Sequence, residues 1–236
     1  MEFVLVPGAW AGGWLWDEVA KDLSEKGHTI HQLTLSGLNE KSETDRVGLS
    51  THVEDVESYI ATHGLKSVVL VGHSYSGIVV GQVATRRNVS IHHSIFIEAF
   101  LPVSGQSLLE VSGLPVEEEK RSIANNQGMW LAPSREELES QPILNEAQIS
   151  LLVSKQKPHP GNTVTEPAML ESSLDEIPAT FMAHEGWLSN SRETELIDKL
   201  RTSNKWQFYE IDGGHWPMLS IPEQLSDKMH LCVALR

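Results

Sequence analysis

Three residues far apart in this chain have the types that acyl transfer requires: Ser74, Glu98 and His215. A serine hydroxyl becomes a nucleophile when an imidazole can take its proton. The imidazole in turn needs a carboxylate to hold its tautomer and balance its charge. Ser74 stands in Gly72-His73-Ser74-Tyr75-Ser76-Gly77, directly after the apolar run Val68-Val69-Leu70-Val71. A β-branched run, a Gly/Ser turn and small apolar residues at helical spacing predict strand, tight turn and helix, with the serine at the apex. Such a turn strains the serine backbone, so the residues two before and two after must be small. Gly72 meets this; Ser76 stands where a second glycine is usual, a mild departure with Gly77 one residue later. The Tyr75 N–H falls at the start of the predicted helix, where negative charge is stabilised, and is the first candidate oxyanion donor.

His215 follows two glycines in Asp212-Gly213-Gly214-His215-Trp216-Pro217, in the loop after the last predicted strand. The order serine, acid, histidine along the chain suits an imidazole carried back over a sheet edge. Two carboxylates compete for the acid. Glu98 ends the apolar strand Ile95-Phe96-Ile97, where burial without a partner would be costly, and Glu185 ends a later strand. Glu98 is preferred, because a carboxylate closing so apolar a strand needs a charged partner; Glu185 fits an exposed loop equally well. The second oxyanion donor is sought in Pro7-Gly8-Ala9-Trp10-Ala11-Gly12-Gly13-Trp14, where glycines let backbone N–H groups approach a ligand; Ala9 N–H is the candidate.

The elements that must position these groups alternate. Strands are predicted over 3–6, 29–35, 67–71, 91–98, 179–184 and 206–211, and helices over 16–26, from a Ser50 or Thr51 cap through Ile60, after Ser74, over 192–200 and over 221–233. A polar loop is expected over 36–50. His52, in a first helical turn, is assigned to capping or packing. His92 and His93 point to opposite faces of a strand and make a poor metal pair. From 103 to 176 the alternation breaks down. This stretch is expected to be a mostly helical cap with a solvated charge run at 117–121 and a loop at 158–161, inserted into a core formed by 1–102 and 177–236. A cap would wall the pocket and exclude water. Trp10, Trp14, Trp130, Trp187 and Trp216 are placed where a pocket rim could form.

The pieces LVPGAWAGGWLW (5–16), VGLSTHVEDV (47–56), VLVGHSYSG (69–77), IEAFLP (97–102) and GGH (213–215) together resemble an α/β-hydrolase of the esterase and hydroxynitrile-lyase type. The resemblance spans nearly the whole chain. It implies a six-stranded parallel sheet with helices on both faces, lacking the two leading strands of the full fold. It also implies cofactor-free ester hydrolysis; the sequence has no H-E-x-x-H motif and no Cys/His spacing, so no metal is expected. Similar bacterial proteins carry Asp at the position of Glu98, and some relatives use an acid there; the strand before Glu185 is the more usual place. Gly8 stands where the lyases carry Thr, and Trp216 where they carry Lys, which argues against cyanohydrin cleavage. Pro7 replaces a His of the plant esterases. A serine nucleophile argues against epoxide-hydrolase and dehalogenase chemistry.

Composition narrows the partners. The 236 residues, 40% hydrophobic, suit one α/β domain with an insertion. A net charge of −14, from 18 basic and 32 acidic residues, disfavours nucleic acid and anionic membranes. A single cysteine, Cys232, excludes an internal disulfide. The N-terminal apolar run stops at Pro7 and lacks a basic region, so a cytoplasmic protein without signal peptide or membrane span is expected. The expected activity is hydrolysis of small, fairly apolar carboxylic esters. A lactone or amide hydrolase, or a non-enzymatic ligand receptor of the same fold, is the alternative. A homodimer is compatible with the chain.

Overall fold

The computed structural model describes residues 1–39, 46–141, 143–190 and 194–234, the side chains of 188–190 and 234 excepted. The core strands are β1 (Glu2–Val6), β2 (Thr29–Gln32), β3 (Val68–His73) and β4 (Ile91–Ile97). Interleaved with them are α1 (Asp17–Glu25), preceded by a 3₁₀ turn at Gly13–Trp16, α2 (Leu49–Thr62) and α3 (Ser76–Arg86). Between β4 and the return of the sheet lie α4 (Leu108–Ser112), α5 (Val116–Asn125), β5 (Met129–Trp130), α6 (Arg135–Glu139), α7 (Glu146–Lys155), β6 (His159–Pro160) and α8 (Asn162–Thr165). The chain then closes through β7 (Ala179–Ala183), α9 (Glu185–Asn190), α10 (Thr194–Arg201), β8 (Trp206–Glu210), α11 (Pro217–Ser220) and α12 (Pro222–Ala234).

Six strands pair in the order β2-β1-β3-β4-β7-β8, every pair parallel. Parallel strands need helical crossovers, and those helices cover both faces of the sheet. Period-two alternation along β1 sorts the side chains: Val4 and Val6 face a core shared with α2 and α3, whereas Phe3 and Leu5 face one shared with α1 and α12. β3, at the centre, is buried along its whole length. The register brings the strand ends level. Val6 pairs with Gly72, His73 with Ile97, and Ile97 with Met182, so the chain leaves β1, β3, β4 and β7 at one sheet edge. Open parallel sheets bind their ligands at that edge.

Several local expectations shift. β2 ends at Gln32, not 35, because its only partner, β1, turns away at Pro7, which has no N–H to offer. The predicted helix 16–26 divides into the 3₁₀ turn and α1. α2 begins at Leu49 with Gly48 as its N-cap; Thr51 Oγ1 accepts from Gly48 N (3.2 Å) and distant Glu166 accepts from Leu49 N (2.7 Å), in place of a Ser50 cap. The stretch expected as a loop at 158–161 contains β6, paired antiparallel with β5. Part of the polar loop at 36–50, and residue 192, lie outside the described residues.

Candidate active site

Ser74 caps β3. Its φ of 53° lies in the left-handed region, which a side chain tolerates only when the surroundings impose it. Here the constraints are explicit. Ser74 N donates to Ile97 O (3.2 Å), and Ser74 O accepts from Gly77 N and Phe100 N (both 3.1 Å). A Cβ on Gly77 would meet Phe100 O at 2.3 Å, and one on Gly72 would meet Ser76 O at 2.8 Å, so glycine is required at 72 and 77. Ser76 is tolerated for a different reason: its hydroxyl donates to Pro7 O, tying the start of α3 to the loop after β1. The serine at this position therefore makes a bond that glycine could not.

His215 is delivered by the loop between β8 and α11. Gly214 has φ 61°, and a Cβ on Gly213 would come within 2.7 Å of both Pro217 and Ile221, so both glycines are needed for the turn. The loop is held from below by His73, whose Nε2 donates to His215 O (2.7 Å), and the Trp187 ring stacks on the imidazole at 5.2 Å between centroids. His215 Nε2 lies 3.1 Å from Ser74 Oγ. Ser74 itself is 8% exposed and lines a cavity.

Glu98 is fully buried, with φ 46°. Its Oε1 accepts from His184 N (2.6 Å) and lies 2.9 Å from His184 Nδ1, while Oε2 stands 3.7 Å from His215 Nδ1. Neither Oε2 nor His215 Nδ1 has another partner among the described residues. A modest tightening would join them, and catalytic hydrogen bonds commonly shorten when substrate arrives. Glu185 opens α9 and is exposed. The geometry thus brings Ser74, His215 and Glu98 together and leaves Glu185 outside.

Ala9 and Tyr75 line the same cavity as Ser74, and neither backbone N–H has a partner among the described residues. Trp10, φ 64°, is fixed from outside the core: its N donates to buried His159 Nδ1 (3.2 Å), and Lys157 N donates to Trp10 O (2.9 Å). Burial holds His159 and His73 well below the ordinary imidazole pKa, so both stay neutral. His52 is also buried and packs as expected: Nε2 donates to Ser36 O and Nδ1 accepts from Tyr75 OH, both at 2.8 Å.

The cavity has a volume of about 660 Å³, and four of the five candidate rim tryptophans, Trp10, Trp130, Trp187 and Trp216, line it. Trp14 does not; it lies outside, under Lys155. Sequence reasoning missed His184, His159 and Glu119. His184 leaves β7 at the same edge as Glu98 leaves β4, so the strand-end logic applied to Glu98 could have found it. His159 carries no such signal, because its partner is 149 residues away. Glu119 belongs to the charge run expected on a solvated helix face, yet it borders the cavity and accepts from Trp130 Nε1 (2.8 Å).

A model of an alpha/beta hydrolase family matches residues 3–228. The carbendazim hydrolyzing esterase of Nocardioides sp. (strain SG-4G) is 28% identical, over 96% of this chain and 97% of its own. Methylesterase 1 of Arabidopsis thaliana is 26% identical, over 95% and 93%. Among solved structures, an extracellular alpha/beta-hydrolase from a Paenibacillus species superposes with a TM-score of 0.83 at 22% identity, covering 98% of each chain, a likeness of fold. No helix among the described residues is long and apolar enough to cross a membrane.

Proposed function

The chain belongs to the alpha/beta hydrolase family, and we propose that it hydrolyses small, fairly apolar carboxylic esters through an acyl-enzyme on Ser74. The observation that carries this is the 3.1 Å approach of His215 Nε2 to Ser74 Oγ at the floor of a tryptophan-lined cavity. Full-length similarity to a named esterase and a named methylesterase supports the same reaction class.

His215 Nε2 takes the hydroxyl proton as Ser74 Oγ attacks the ester carbonyl carbon. Nδ1–H then faces Glu98 Oε2, and the buried carboxylate balances the imidazolium. His184 occupies the other oxygen, which leaves Oε2 for His215. The developing oxyanion lies against the Ala9 and Tyr75 N–H groups; one such donor is commonly worth a factor of about 10²–10³ in rate. Collapse breaks the bond to the alcohol oxygen, which leaves with the proton from His215. A water deprotonated by the same nitrogen attacks the acyl carbon and releases the acid and free Ser74. Residues 103–176 act as the cap, and the setting is cytoplasmic, with which the single cysteine is compatible.

The test is hydrolysis of short-chain p-nitrophenyl esters, with covalent labelling by a fluorophosphonate. Both should be lost in Ser74→Ala. Normal turnover by that variant, or no labelling of the unaltered protein, would overturn the proposal.

A further inference from the structure

The cavity over Ser74 carries charge of one sign. Glu119 and Glu137 border it, and no lysine or arginine does among the described residues. Two basic residues close in sequence to these carboxylates are engaged elsewhere: Arg135 pairs with Glu139 and Glu146 (3.1 and 2.7 Å), and Lys120 with Glu117 (3.6 Å). Glu119 is also held in place. Its Oε2 accepts from Trp130 Nε1, Trp130 O accepts from Trp10 Nε1 (3.0 Å), and the two indoles pack at 4.3 Å between centroids. A carboxylate is thereby fixed beside two indoles, one of them on the residue that follows Ala9.

We infer that this cavity selects its substrate by charge, taking esters whose aryl or alkyl group carries a protonated amine and rejecting esters that also bear a carboxylate. The inference rests on the ester-hydrolase proposal and adds the substrate class. A cation near an indole face is attracted by the ring quadrupole, most strongly for tryptophan, and the carboxylate adds direct attraction. A carboxylate-bearing ligand meets two like charges with no cation to offset them. The same field favours departure of the acid product, which leaves as an anion.

Three uncleavable acetophenones test this, alike except for a para-aminomethyl, para-methyl or para-carboxylate group, with binding followed by quenching of tryptophan fluorescence. The aminomethyl ketone should bind about tenfold tighter than the methyl ketone, and the carboxylate ketone more weakly than either. In Glu119→Gln the advantage of the amine should shrink to about twofold, and salt at about 0.5 M should narrow it in the unaltered protein. Equal affinities for the three ketones would overturn the inference. So would an undiminished preference in Glu119→Gln, which would assign it to the overall charge. Hydrolysis of para-methylphenyl acetate is measured separately: its absence would sink the hydrolase proposal, whereas equal ketone affinities with normal acetate turnover would sink only charge selection.

Discussion

Replacing Glu98 by glutamine removes one charge and almost nothing else. The side chain is fully buried, glutamine is nearly isosteric, and its Oε1 can still accept from His184 N, now 2.6 Å away, so β4 and β7 stay joined. What disappears is the attraction between carboxylate and imidazolium. At the observed 3.7 Å and an effective dielectric constant of about 20, a full pair is worth about 4.5 kcal/mol, or roughly three decades in rate. Loss of the correct tautomer adds to this, because a glutamine N–H₂ turned toward Nδ1 would place the imidazole proton on the nitrogen that must accept from Ser74. kcat for a p-nitrophenyl ester should therefore fall by a factor of about 10³–10⁴, with KM little changed. Glu185→Gln, at an exposed position outside the cavity, should stay within about twofold of the unaltered enzyme. Stopped-flow and steady-state assays on both variants, with unfolding curves to confirm intact folds, decide the matter. A larger loss in Glu185→Gln, or less than tenfold in Glu98→Gln, would refute the assignment of the acid.

Two more outcomes come from packing and burial. Gly77→Ala drives a methyl to 2.3 Å from Phe100 O and 2.8 Å from Ala99 Cβ, against backbone that cannot yield cheaply; urea unfolding should show a loss of about 3 kcal/mol, and a loss under about 1 would contradict the tight turn. Burial lowers the pKa of His52, His73 and His159, assisted at His73 by His215 and at His159 by His52. The unfolded chain takes up those protons below about pH 6.5 while the native one does not, so stability is full above that pH and falls beneath it, by up to about 1.4 kcal/mol per pH unit for each histidine. Denaturant midpoints should decline from about pH 6.5 to 5.5, less steeply in His159→Gln, and a flat profile would refute it.

The α/β architecture is legible in the sequence because parallel strands buried on both faces read as continuous apolar runs, as Val68-Val69-Leu70-Val71 does, and because crossover helices such as α1 and α10 bury one apolar stripe. The serine turn and the diglycine before His215 are legible for a related reason: strained backbone leaves glycine as its trace. Glu98 stands out because a charge closing an apolar strand contradicts the pattern around it. What cannot be read are the long-range polar contacts. Nothing near Trp10 announces His159, and a run of five charges at 117–121 hides the one, Glu119, that turns inward to Trp130. Ser76 reads as small but not as a donor, since its acceptor on Pro7 lies on another strand's loop.

That Ser76–Pro7 bond has a mechanical corollary. With Val6 and Gly72 already paired as neighbouring strand residues, the hydroxyl completes a short closed circuit between the loop after β1, which carries Ala9, and the turn that carries Ser74 and Tyr75. A circuit of this kind moves as one piece, so on the proposed mechanism the gap beside Ser74 keeps its dimensions when residues of the far wall, contributed in part by α5 and α6, are replaced. Substitutions on that wall can retune which molecule enters without disturbing how its carbonyl is attacked.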